Sequence, residues 1–149
     1  MEAVILIGVP AAGKSTFFKQ KFADTHVRIN GDMLRNRGLE WDILKACLRH
    51  GHPFVVDKMN FSFKHRGPYL EAALRAGFLR VGYLLDCSRS DALRRNKNED
   101  RKEKNLPEAA IHNAFSHLDW PCYHEGFDRI HYVTMDEKRN RFNIGPWKG

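Results

Sequence analysis

At 149 residues, 42% of them hydrophobic and 29% charged, the chain is long enough for one domain with a core and too short for two ordinary ones. Its 25 Lys and Arg against 18 Asp and Glu leave a net charge of +7, which favours a polyanionic partner over an acidic protein surface or a neutral metabolite. The three scattered cysteines support neither a disulfide framework nor a zinc site, and no apolar run reaches membrane-spanning length, so the expectation is a soluble, intracellular, cytoplasmic protein without a membrane partner.

Ala3 to Ile7 (AVILI) reads as a buried strand that runs into Gly8 to Thr16, GVPAAGKST, and then into a helix from Ser15 to Phe22. That stretch follows the pattern Gly, four residues, Gly, Lys, then Ser or Thr, in the strand-to-helix setting where the pattern has physical meaning. The glycines let the backbone curl so that successive N–H groups point at one anion. The helix N-terminus adds partial positive charge, and Lys14 brings a full charge to the β and γ phosphates. Gly8, Ala11, Ala12, Gly13, Lys14, Ser15 and Thr16 are therefore the candidate nucleotide-binding residues. ATP is the expected cofactor, with Ser15 as the hydroxyl that would ligate Mg2+. A ligand-free Gly-rich turn is the alternative, but such a turn needs neither Lys14 nor Ser15.

Further along, Phe17, Phe18 and Phe22 form a helical stripe, His26 to Ile29 is a short second strand, and Asn30 to Arg35 turns from it into a helix. Leu39 to His50 is helical, stopped by Gly51 and Pro53, with Trp41 either anchoring it or lying near substrate. Pro53 to Val56 is a strand ending in Asp57, and Arg66 to Arg75 a helix with Pro68 expected in its first turn. Val81 to Leu85 is the fourth strand, and Ser88 or Ser90 caps the next helix. The charged run from Arg94 to Lys104 reads as a solvated helix face or as a basic lid over a phosphate. Pro107 restarts a helix, and Ile130 to Val133 is the last expected strand. The expected domain spans residues 1–135, with 136–149 a polar C-terminal tail. Five strands alternating with helices predict an α/β, three-layer P-loop NTPase kinase fold, with a mostly parallel sheet and helices on both faces.

Phosphoryl transfer asks a protein mainly to position two partners and to neutralise charge on the moving group. Strands parallel to the first all end on the edge where the phosphate loop lies, so Asp32 should emerge beside the triphosphate. It is the candidate carboxylate for an acceptor hydroxyl, and Arg35, one turn later, the candidate grip on a neighbouring phosphate. A helix cap is the alternative role for Asp32. Asp57 ends a second strand at the same edge and is the candidate to bind the loop hydroxyl or a magnesium-bound water. Asn60, His65 and Arg66 follow within reach of the acceptor side. Arg94, Arg95 and Arg101 are the arginines that a lid would bring to the donor.

These residues resemble the polynucleotide 5′-hydroxyl kinase family, the kinases of DNA and RNA end healing. The family's phosphate loop is similar to GVPAAGKSTF. Its strand-end Asn-Arg-Asp followed three residues later by Arg resembles Asn30, Gly31, Asp32 and Arg35, and its Asp-x-x-Asn pattern matches Asp57 and Asn60. The lid's Arg-Asn pair resembles Arg95 and Asn96, and PCYHEGF from Pro121 to Phe127 resembles the end of that domain. Three departures stand out: Gly31 in place of Arg, Lys58 and Met59 in place of smaller polar residues, and two extra residues before Arg101. The resemblance implies that Asp32 is general base toward a 5′-hydroxyl, that Arg35 grips the acceptor's 3′ phosphate, and that lid arginines contact the donor. It also implies DNA or RNA 5′-OH ends as substrate. Family members often carry a phosphatase or ligase domain as well; the expectation is that this chain has no room for one, which leaves a separate phosphatase or ligase as a candidate partner. A small-molecule kinase acting on a sugar, nucleoside or nucleotide-sugar, and a non-catalytic nucleotide-gated RNA-binding module, are the competing expectations.

Overall fold

The computed structural model describes residues 1–97 and 106–149. Strands β1 (Glu2–Ile7), β2 (Val27–Ile29), β3 (Phe54–Asp57), β4 (Leu79–Leu85), β5 (Arg129–Asp136) and β6 (Arg141–Pro146) form one sheet in the order β2-β3-β1-β4-β5-β6. The first five are parallel, and β6 runs antiparallel to β5. β1 lies in the interior of this order, and Ala3 through Ile7 are each 2% exposed or less. A strand covered on both faces has no polar side to alternate with, which is why it reads as an unbroken apolar run.

Helix α1 (Lys14–Lys21) covers one face of the sheet, where Phe17, Phe18 and Phe22 pack on Val4, Leu6, Val55 and Val81, and α6 (Glu108–His117) adds Ala114 and Phe115. Helices α3 (Arg37–His50) and α4 (Phe63–Arg75) cover the other face, with Leu44, Cys47, Leu70 and Ala73 against Ile5, Ile29 and Val56. Trp41 stacks on Tyr69 with ring centroids 5.3 Å apart, so it anchors α3 to α4. All three cysteines are free thiols. Among the described residues no helix is long and apolar enough to cross a membrane.

Two features differ from expectation. The sheet has six strands rather than five, because residues from the expected polar tail pair with β5 from Met135↔Phe142 to His131↔Pro146. An edge strand has one neighbour and one covered side, so β6 needs few apolar residues, and Phe142 serves by packing on Phe17 at 5.0 Å. Helix α4 starts three residues earlier than expected, at Phe63, where the Ser62 hydroxyl accepts from the His65 amide. Pro68 is therefore inside the helix rather than in its first turn.

The parallel register places Asp57 beside Leu6 and Leu84 beside Ile7, and Ile29 beside Val56. The segments that leave β1, β2, β3 and β4 thus share one edge of the sheet.

Candidate nucleotide and acceptor site

β1 delivers the chain into the loop at Gly8, where a Cβ would lie 2.9 Å from the Leu85 carbonyl oxygen. The Gly8 amide donates to the Met59 carbonyl (3.1 Å), tying the loop to the segment after β3. Ala11 and Gly13 both adopt positive φ, 68° and 103°, and Gly13 sits at the N-cap of α1. No side chain caps that helix end, the arrangement in which backbone amides receive an anion. Lys14 Nζ folds over the loop and donates to the carbonyls of Gly8 (3.0 Å) and Val9 (2.9 Å). Ser15 and Thr16 follow in the first turn.

Sequence reasoning missed Arg28, on β2. Its Nη2 donates to Ser15 Oγ (3.1 Å) and lies 2.7 Å from Asp57 Oδ2, to which its Nε also donates (2.8 Å). The guanidinium sits over the Phe18 ring, 5.2 Å from its centroid. Asp57 is buried, and Asn30 Nδ2 donates to its carboxylate (3.3 Å) and its backbone oxygen (3.0 Å). Ser15 on α1 and Asp57 on β3 are therefore joined through a cation on a third element, β2. No local pattern marks an arginine in a three-residue strand for that role.

Asn30 also caps the single turn α2 (Gly31–Leu34), its side-chain oxygen accepting from the Met33 amide (2.9 Å). This residue, not Asp32, is the cap. Asp32 lies exposed in the first turn of α2, and its carboxylate has no hydrogen-bond or ion-pair partner among the described residues. Arg35 ends the turn with φ 55°, and its Nε folds back on the Asp32 carbonyl (3.3 Å). Asp32 and Arg35 thus project from one rigid turn that Asn30 bolts to β3. Beside Gly31, Lys58 Nζ lies 3.2 Å from Glu40 Oε1, a buried carboxylate oxygen without a hydrogen bond of good geometry.

The other sequence candidates divide. Asn60 and Arg66 do not reach an acceptor: both are buried in internal bonds, Asn60 Nδ2 to the Leu6 carbonyl (2.8 Å) and Arg66 to Glu125 (2.7 Å). His65 is exposed on α4. On α5 (Arg89–Asn96), capped by Ser88, Arg95 Nη1 donates to the Ala11 carbonyl of the loop (3.2 Å). Arg94 is exposed and pairs with Asp91 (3.1 Å) and Glu137 (2.9 Å). Arg95 pairs with the same Glu137. Hydrogen bonds from Arg94, then from Arg95, hold the Glu137 carboxyl at about 2. Arg101 lies outside the described residues.

The donor set suits a magnesium ion. Ser15 Oγ and the Asp57 carboxylate are hard oxygens, and Mg2+ is held by one or two protein groups plus phosphates and water rather than by a protein cage. No group of three or more His, Cys, Asp or Glu residues that could form such a cage occurs among the described residues.

No protein-family model matches the chain. A bifunctional polynucleotide phosphatase/kinase of Schizosaccharomyces pombe is 27% identical over 139 residues, covering 90% of this chain and 34% of its own length. The transcription factor bHLH140 of Arabidopsis thaliana is 27% identical over 161 residues, 96% of this chain and 17% of its own. The chain thus spans about a third or less of these curated relatives. Among solved structures, Chaetomium thermophilum Kti12 in complex with ADP-AlF3 superposes with a TM-score of 0.67 at 14% identity, over 93% of each chain. Sheet order, loop and structural likeness together give this chain the P-loop NTPase kinase fold.

Proposed function

We propose that this chain is an ATP-dependent kinase of the 5′-hydroxyl ends of DNA or RNA. One contrast carries the reading: of the acids at the ends of β2, β3 and β4, Asp57 is buried and engaged by Arg28 and Asn30 and Asp86 accepts from the Tyr132 hydroxyl (2.6 Å), whereas Asp32 is exposed and open to an incoming alcohol. The similarity to a polynucleotide phosphatase/kinase over 90% of the chain supports a nucleic-acid acceptor, as does the net charge of +7.

In this reading the loop amides and Lys14 hold the β and γ phosphates of ATP. Lys14 Nζ leaves the carbonyls of Gly8 and Val9 for phosphate oxygens at the same loop. When bound, Mg2+ neutralises charge on the phosphates, held from the protein side by Ser15 and Asp57. Asp32 accepts the proton of the 5′-hydroxyl as that oxygen attacks the γ phosphorus, whose bond to the β–γ bridging oxygen breaks to release ADP, and Arg35 grips the adjoining acceptor phosphate through its planar fork. Arg95, already in contact with the loop at Ala11, is placed for the donor phosphates.

The test is transfer of label from γ-labelled ATP across a panel of acceptors: a 5′-OH oligonucleotide, a mononucleotide, a nucleoside and a sugar. The oligonucleotide should be labelled, and Lys14→Ala should abolish the signal. Labelling confined to the nucleoside or sugar would assign a small-molecule kinase instead, and ATP and RNA binding without transfer would assign a non-catalytic module.

A further inference from the structure

Arg28 does more than neutralise a buried acid. For that purpose Nε and Nη2 on the Asp57 carboxylate would suffice, yet Nη2 also takes Ser15 Oγ, the hydroxyl of the phosphate loop. One nitrogen touches both oxygens that suit a divalent cation, so an ion bound at Ser15 needs the space that Nη2 now fills. The guanidinium is no loose surface group: its side chain is 21% exposed, and it lies 5.2 Å over the Phe18 ring. Asn30 supplies a further donor to Asp57 Oδ2, so the acid keeps a partner when Arg28 withdraws from Ser15.

We propose that Arg28 is a built-in competitor of the metal ion, occupying the Ser15–Asp57 position in the nucleotide-free protein and yielding Ser15 only when a metal–nucleotide complex arrives. The proposal rests on the reading of Ser15 and Asp57 as the metal side of the site. Its physics is that two cations cannot share these oxygens at close range, where their repulsion is large. In the absence of nucleotide the tethered guanidinium wins, because its local concentration is fixed by the fold and its carboxylate bonds are charge-assisted. Triphosphate oxygens add several negative charges and further metal ligands, which reverses the balance. The consequence is ordered loading: metal enters with the nucleotide and not before it.

The experiment measures Mn2+ binding from the free-ion EPR signal, for wild type, Arg28→Met and Arg28→Lys, with and without a non-hydrolysable ATP analogue. Without nucleotide, Arg28→Met should bind Mn2+ at least about tenfold more tightly than wild type, because a charge next to the site is gone. Arg28→Lys, which keeps the charge but lacks the second bond that Nε makes to Asp57, should fall between them. With the analogue, all three should bind. Should Arg28→Met fail to fold, the lysine variant alone decides, by binding more tightly than wild type or not. Equal or weaker nucleotide-free affinity in the folded variants, with normal binding in the presence of the analogue, overturns the role of Arg28 and leaves the metal site standing. Absence of Mn2+ binding by wild type with the analogue removes the metal site and this proposal together.

Discussion

Arg66, with no exposed surface, donates through Nε and Nη2 to the two oxygens of Glu125 at 2.7 and 3.0 Å, and through Nη1 to the carbonyls of Asn60 and Asp119. One side chain thereby locks the segment after β3 to the segment before β5. Because Gly8 donates to the carbonyl of Met59 in that same segment, the phosphate loop inherits its rigidity. Removing one partner of such a pair leaves a buried charge alone, at a cost of about 3–5 kcal/mol. Arg66→Ala should lose that much in urea unfolding, and Glu125→Gln less, since an amide oxygen still accepts one of the two bonds.

In the proposed reaction Asp32→Asn keeps the shape of the turn and removes only the group that would take the proton. Turnover should fall by about 10²–10⁴-fold while ATP affinity stays unchanged. Single-turnover transfer and an ATP titration on the same variant separate the two. A loss of ATP affinity instead would place Asp32 on the donor side.

Arg35→Ala should weaken oligonucleotide binding across sequences and reduce the slope of log K against log salt by about 1. The measurement is a binding isotherm at several salt concentrations. An unchanged slope would mean that Arg35 touches no phosphate.

Gly13→Ala meets two obstacles. The new Cβ would lie 2.7 Å from Met135 Cε, and φ is +103°. A methionine tip can move aside, but the backbone cannot, so the cost should be about 1–3 kcal/mol and should persist in the double variant with Met135→Ala. Rescue by the second substitution would show that crowding, not conformation, sets the requirement for glycine.

Glu137 ties the β5–β6 turn to α5 through Arg94 and Arg95. Its carboxyl sits at about 2 instead of the ordinary 4.5, so the folded protein keeps it ionised where the unfolded chain does not. The sign follows: its contribution is complete above about pH 4.5 and is lost as pH falls toward 2. The group is about a third exposed, so solvent screening holds the effect to about 0.5 kcal/mol. Melting of Glu137→Gln against wild type should differ slightly at pH 7 and converge toward pH 2.

Much of the fold was legible in the chain. Strands β1, β3 and β4 announce themselves because a parallel strand buried on both faces must be largely apolar, as Ala3 to Ile7, Phe54 to Val56 and Val81 to Leu85 are. The loop from Gly8 to Thr16 is legible because its chemistry dictates residue types at fixed spacing. β6 was not: Arg141, Asn143 and Gly145 give an edge strand no signature. The site was half legible. That Asp32, Arg35 and Asp57 come out at the loop's edge of the sheet follows from the strand ends, but Arg28, Glu40 and Glu125 act through partners 13 to 59 positions away, a relation no local pattern encodes.

The hairpin of β5 and β6 closes over the phosphate loop and α1: Met135 and Phe142 stand against Gly13, and Phe142 against Phe17. A ribosome emits these pieces more than about a hundred residues apart. Until β6 emerges, Phe17 lacks one wall and the cradle lacks its roof, so a nascent chain can shape the curl of the loop early yet complete its surroundings only with that later strand. Protein made without the hairpin should therefore leave synthesis with an unroofed, sticky phenylalanine just past the end of the phosphate-binding turn.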